Sequence, residues 1–342
     1  MAITSYGDIT PRTAAYAVAQ MLKRGMPYLV LEKFGQTYPI PTNSTKVAKF
    51  RRYFLSGSTG AAGNGTGSYF VPLATTPLVE GVTPAGRNLA NQDYTVTLQQ
   101  YGDFVTISDV IQDTHEDRVL QQSTEILGEQ AAQTIETIRF NILKAGLNVF
   151  YSNGSLRTSV NTPITLALQR QITTALNRQN GKKITQVVKS TPDFRTEPVE
   201  ASYIALVHPD LETDIRSMTG FVPTKQYGTQ TAWENEIGSV EQVRYLSSTV
   251  FAPFTDAGGT AGAMRSTSGT NADVYPILFL ARDAYGIVPL KGKDSLTPMV
   301  VNPKPAPGDP LGQRGTVGWK AMTSATILND AWIVRAEVAA TA

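Results

Sequence analysis

The chain has 342 residues, a hydrophobic fraction of 41% and a nearly even charge balance of 30 basic against 28 acidic side chains. That balance argues against a dedicated nucleic-acid binder and against a polybasic membrane-surface protein, since both carry a strong basic excess. With no cysteine and only His115 and His208, disulfides, thiolate metal sites and a cysteine nucleophile are excluded, and a zinc site or any other metal centre is disfavoured. The N-terminal stretch has no apolar core followed by a small-residue cleavage site, and no run of eighteen apolar residues occurs. Neither a signal peptide nor a membrane-spanning helix is therefore expected, and a reducing cytoplasm suits the composition.

In chain order, RTAAYAVAQMLKR (12–24) reads as a short helix stopped by Gly25 and Pro27. Tyr28 to Pro41 carries Pro39 and Pro41 without a clear period and reads as an extended arm rather than a packed element. KVAKFRRYFL (46–55) reads as a strand, and the glycine-rich run 57–67 as a loop. From Thr95 to Ile107 apolar residues flank Tyr101-Gly102-Asp103, where the glycine marks either a bulge or a turn between two strands. The whole of 45–107 thus resembles a long projecting hairpin. Val119, Leu120, Ile126, Leu127, Ala131, Ile135, Ile138, Ile142, Leu143 and Val149 then recur mostly at steps of three, four or seven. That spacing predicts one amphipathic helix of thirty-plus residues, a rod on the order of 50 Å long. Thr162 and Pro163 give a start signal for a helix to Asn177, ended by Asn180-Gly181. Tyr203 to Val207 and Pro209 to Met218 form a strand–helix pair. Gln242 to Leu246 and Tyr275 to Leu280 read as strands around a Gly/Ser/Thr-rich insertion (256–271), and Gly315 to Ala340 as long strands. The architecture predicted is mixed α+β.

Candidate chemistry is thin. Gly63 to Ser68 lacks the flanking strand, helix and acidic residue of a dinucleotide fingerprint and the GK[ST] of a P-loop, and Pro72 follows it, so a loop is the simpler reading. His115 beside Glu116 and Asp117 suggests an acid/base group, yet acidic residues in a first helical turn are ordinary dipole complements. His208, before Pro209, sits at a strand-to-helix corner where its ring meets backbone. No catalytic, cofactor-binding or metal-ligating residue is assigned. Lys46, Lys49, Arg51 and Arg52, interleaved with Phe50, Tyr53 and Phe54, could track nucleic acid. On a strand, however, Lys49, Arg51 and Tyr53 face one way and Phe50, Arg52 and Phe54 the other. Basic residues on two faces favour contact with acidic protein neighbours. Lys46, Lys49, Arg51, Arg52 and Tyr53, with Glu80 and Arg87 further along, are the candidate inter-subunit contacts.

Several segments, in the same order, resemble the major capsid proteins of tailed bacteriophages, in particular the family typified by the coat protein of the N-four-like podoviruses. They are TTPLVEGVTPAG (75–86), QYGDFVTISDVIQDT (100–114), LGEQAAQTIE (127–136), EIGSVEQVRYL (236–246), ARDAYGIVPL (281–290) and GQRGTVGWKAMTSATILNDAW (312–332). The resemblance spans roughly Lys46 to the C-terminus and implies a Hong Kong 97-like capsid fold. It implies an N-terminal arm (1–44), an extended loop with its flanking strands (45–107) and the spine helix of a peripheral domain (108–152). An axial domain (153–290) and C-terminal strands returning to the peripheral domain (291–342) complete it. The function implied is a structural, non-enzymatic shell protein. It self-assembles as hexamers and pentamers into an icosahedral capsid around double-stranded DNA, without cofactor or membrane, and is assembled in the bacterial cytoplasm. A separate scaffolding protein, a portal and a decoration protein are the implied partners. The competing readings are an encapsulin-like compartment shell and a soluble enzyme with an unrecognised site.

Overall fold

A computed structural model describes residues 29–41, 43–55, 73–108, 110, 119–188, 196–228, 232–290, 296–301 and 310–342. The 12–24 helix, the 57–67 loop and His115 lie outside them. In chain order the elements are β1 (Gln36–Thr37), β2 (Val47–Leu55), β3 (Leu89–Thr97), β4 (Gln99–Ser108), α1 (Val119–Leu143), β5 (Val149–Tyr151), α2 (Leu166–Arg178), β6 (Ile184–Val188), β7 (Thr196–Val207), α3 (Glu212–Ser217), β8 (Phe221–Pro223), β9 (Glu236–Val240), β10 (Val243–Ser247), β11 (Val274–Leu280), β12 (Tyr285–Pro289), β13 (Leu296–Val301), β14 (Arg314–Ile327) and β15 (Ile333–Ala339).

Among the described residues three sheets form. β2 and β3 pair antiparallel as a separate ribbon. A five-stranded sheet runs β1-β12-β14-β13, with β4 on the other side of β14. An eight-stranded sheet runs β5-β15-β11-β7-β10-β9-β8, with β6 added to β7. The eight-stranded sheet is covered on both faces, which is why its central strands read as continuous apolar runs. Tyr203, Ala205 and Val207 face α2 and α3, while Ile204 and Leu206 face Phe140, Leu143 and Phe251. The five-stranded sheet is covered on one face by α1, where Leu127, Ala131 and Ile135, one turn apart, pack on Ile107, Val317, Trp319 and Ala321. Gln130 ties helix to sheet, accepting from Trp319 Nε1 (3.1 Å) and donating to Asp103 (2.6 Å).

The structure corrects several expectations. The rod ends at Leu143, so the described helix is about 37 Å long. The apolar period continues past it, but Leu147 N–H is caught by the Asp330 carboxylate (3.1 and 3.2 Å), and Val149 enters β5 beside β15. The second helix starts three residues late, at Thr165, whose hydroxyl accepts from Leu168 N–H (3.3 Å). Thr162 is unavailable as a cap because its hydroxyl bonds Asn153 and its carbonyl accepts from Ala339 N–H. The strand break in 95–107 falls at buried Leu98, between β3 and β4, not at Gly102. Gly102 lies within β4, where a Cβ would come to 2.6 Å of the Trp319 carbonyl oxygen. The segment 29–40 is packed rather than free: Val30, Leu31, Phe34 and Ile40 are buried, and β1 pairs with β12. The C-terminal strands divide between sheets. β13 and β14 build the five-stranded sheet, whereas β15, buried almost throughout, becomes an inner strand of the eight-stranded one.

Candidate assembly surface

β2 alternates as its sequence requires. Lys49, Arg51 and Tyr53 are exposed, while Ala48 and Phe50 are buried. The Phe50 ring lies against Gly286 of β12, where any Cβ would come to 2.7 Å of the ring, and stacks edge-on to Tyr38 at 5.6 Å. Ile40, Ala48, Val96, Leu98 and Val288 complete this small core, which anchors the base of the hairpin. Beyond it, from Arg51 outward, the ribbon is flanked by far fewer buried groups.

Asp93 faces Arg51 directly across the ribbon. It accepts two guanidinium hydrogen bonds (2.7 and 3.0 Å) and lies 3.3 Å from Lys49 Nζ. These cations, the hydrogen bond from Arg51 foremost, hold its carboxyl at about 2. Lys49 and Arg51 thus have an acidic partner inside the hairpin itself. Arg52 points to the opposite face, 5.7 Å from the Trp332 ring. Lys46 stands at the mouth of the ribbon, exposed, with its carbonyl accepting from Leu98 N–H (2.9 Å). Tyr53 is exposed near the far end.

Every residue from Leu73 to Leu89 is exposed. This strap has a turn at its centre, where Val82 N–H bonds the Val79 carbonyl (3.1 Å) around Gly81 at φ 78°. Arg87 reaches back to the Leu73 carbonyl (3.4 Å), and Glu80 projects beside Leu78 (79% exposed) and Val79 (66%). Leu78, Val79 and Val82 thus form an exposed apolar cluster about the turn. The structure brings Lys46, Lys49, Arg51, Arg52 and Tyr53 together on the ribbon. Glu80 and Arg87 belong to the strap.

A second apolar surface has no counterpart in the sequence reading. The face of the five-stranded sheet away from α1 exposes Phe104 on β4 and Met299 and Val301 on β13. Apolar residues occur on both faces of β4, so alternation in the sequence does not identify the outer one. The adjacent glycines, Gly102 and Gly318, were the available signal.

Catalytic groupings are sparse. His208 Nδ1 accepts from Asp210 N–H (3.3 Å) and so caps the turn 209–211; burial pushes its pKa down. Asp210 accepts from Tyr275 (2.8 Å) and pairs with Arg265. Among the described residues no three His, Cys, Asp or Glu side chains are grouped to hold a metal ion, and no helix is long and apolar enough to cross a membrane.

Comparison with known proteins supplies the context. A family model described as phage capsid protein matches residues 92–336. Among solved structures, the capsid of Ralstonia phage GP4 is similar at 13% identity and a TM-score of 0.63, covering 90% of this chain and 87% of that one. The capsid asymmetric unit of cyanophage Pam1 is similar at 15% identity and a TM-score of 0.57, covering 93% and 92%. The holo-SrpI encapsulin complex from Synechococcus elongatus is similar at 10% identity and a TM-score of 0.53, covering 99% and 93%. No curated protein matches. At these identities the structural likeness is one of fold.

Proposed function

Because the chain belongs to the phage capsid protein family, we propose that its copies assemble through the β2–β3 hairpin and strap into the pentamers and hexamers of an icosahedral shell around double-stranded phage DNA. The protein is a structural component of the capsid, with a Hong Kong 97-like fold, and is not an enzyme. The observation that carries the assembly reading is the strap 73–89, exposed at every residue although it includes Leu73, Leu78, Val79, Val82 and Leu89. A single chain gains nothing from ordering such a segment; a neighbour that buries it does.

On this reading α1 and the five-stranded sheet form the peripheral domain, and the eight-stranded sheet forms the axial domain around the five- and six-fold axes. The segment before Thr45 is the N-terminal arm. Overlap between neighbours is heterologous, the kind of contact that closes into rings. A near-neutral wall suits packaged DNA that must slide past it. Assembly takes place in the bacterial cytoplasm, with a separate scaffolding protein, a portal and a decoration protein as partners.

Electron microscopy of particles made by the expressed chain, with their nucleic acid assayed after nuclease treatment, tests the proposal. Closed shells from the expressed chain, alone or with its scaffolding protein, and nuclease-resistant DNA in particles from phage-producing cells, are expected. A cargo enzyme in place of DNA decides for a compartment shell. Uniform small oligomers from both sources contradict the proposal.

A further inference from the structure

The five-stranded sheet has one face under α1, and among the described residues no element covers the other. A solvated face of an antiparallel sheet is normally polar. Here Phe104, Met299 and Val301 stand on it at 66%, 48% and 57% exposure. The strand register places Phe104, Gly318 and Met299 side by side across β4, β14 and β13. Gly318 has no room for a side chain: a Cβ there would come to 2.8 Å of the Phe104 Cβ and 2.9 Å of the Asp103 carbonyl oxygen. Gly102 is crowded in the same way by the Trp319 carbonyl. Two glycines therefore floor a groove of about 490 Å³ with apolar walls, and Lys320, opposite Gly102, supplies a cation to it.

The strap has the complementary pattern. Leu78, Val79 and Val82 are exposed apolar side chains, and Glu80 lies among them. β3 rises through nine residues, on the order of 30 Å, between the strap and the point where the chain enters β4. The strap thus stands at the end of the ribbon remote from the start of β4. Among the described residues β4 pairs only with β14.

We propose that the groove between β4 and β13 receives residues 78–82 of the strap of a second copy, with Leu78, Val79 and Val82 on the Phe104–Met299–Val301 walls and Glu80 paired with Lys320. This rests on the reading of the chain as a shell subunit and names the surface that the strap engages. The contact is heterologous, so it repeats around a ring rather than closing as a dimer.

The absence of native cysteine makes the test clean. Particles of the Val79→Cys/Met299→Cys double variant are treated with a short bis-maleimide and run on a denaturing gel. The expected result is a ladder reaching five and six linked chains, with neither single variant giving one. Shells without linkage, linkage confined to single chains, or linkage that stops at dimers overturns the groove while leaving the capsid reading intact. Absence of shells from the cysteine-free parent chain and from phage-producing cells counts against both. Should the double-cysteine chain itself make no shells, the charge pair decides. Glu80→Lys and Lys320→Glu each reduce shell yield at least several-fold, and the two together restore it. Failure of the combined variant to recover, or full yield from both single reversals, overturns the assignment.

Discussion

Glu136 is a carboxylate without solvent. It is fully buried on α1 (119–143), and its Oε1 accepts the backbone N–H groups of Val30 (3.0 Å) and Leu31 (2.7 Å). Tyr285 donates to the Leu31 carbonyl, so the segment before β1 is held from two sides. Burial raises the Glu136 pKa to about 7, against the pull of those N–H groups and of Arg139. A carboxyl whose folded pKa lies above its unfolded value binds its proton more tightly when folded. Its contribution is therefore fully present below about pH 4.5 and is lost as pH rises through about 7. Glu136→Gln keeps an acceptor for the two N–H groups and removes the titration. Between pH 5 and 8 the wild type should lose stability relative to the variant, by roughly 2–3 kcal/mol at most, in urea midpoints taken across that range. Parallel pH profiles would contradict this account of the site. The anchoring contact was not legible in the sequence. Glu136 reads there as one more polar residue on a helix, and its partners lie more than a hundred positions away.

At the scale of elements, the hairpin was the most legible part, because the alternation of Ala48, Lys49, Phe50 and Arg51 survives intact in β2 (47–55). Its limits were not. The turn from β3 (89–97) to β4 (99–108) occurs at Leu98, which is fixed by burial and by the distant Lys46 carbonyl rather than by any turn residue. Gly102, which did look like punctuation, is instead an element-packing residue. Gly102→Ala puts a Cβ at 2.6 Å from the Trp319 carbonyl oxygen, backbone on both sides. Separating β4 from β14 (314–327) to relieve that contact should cost about 1–3 kcal/mol, read as a lower denaturation midpoint. An unchanged midpoint would show that the two strands approach less closely than described. The placement of β15 (333–339) was equally hidden. Its apolar run fits either sheet, and only the parallel pairing with β5 (149–151) and the antiparallel one with β11 (274–280) decides between them.

At the scale of the whole molecule, two well-packed sheets carry a ribbon and a strap that, among the described residues, are largely exposed. The charge balance that argued against a dedicated DNA-binding protein is consistent with subunits that associate mainly through apolar surface. Many such contacts, each modest, stabilise a closed assembly together, because each bond made raises the effective concentration for the next. Lys49 and Arg51 are paired already with Asp93 inside the hairpin, and the proposed contact with the neighbour therefore falls to the strap beyond it. The most direct measurement is amide hydrogen exchange over residues 73–89, compared between the free chain and assembled particles. Fast exchange in the free chain and protection of tenfold or more in particles is the predicted result. Equally fast exchange in both would contradict the claim that this strap is buried by the neighbouring subunit.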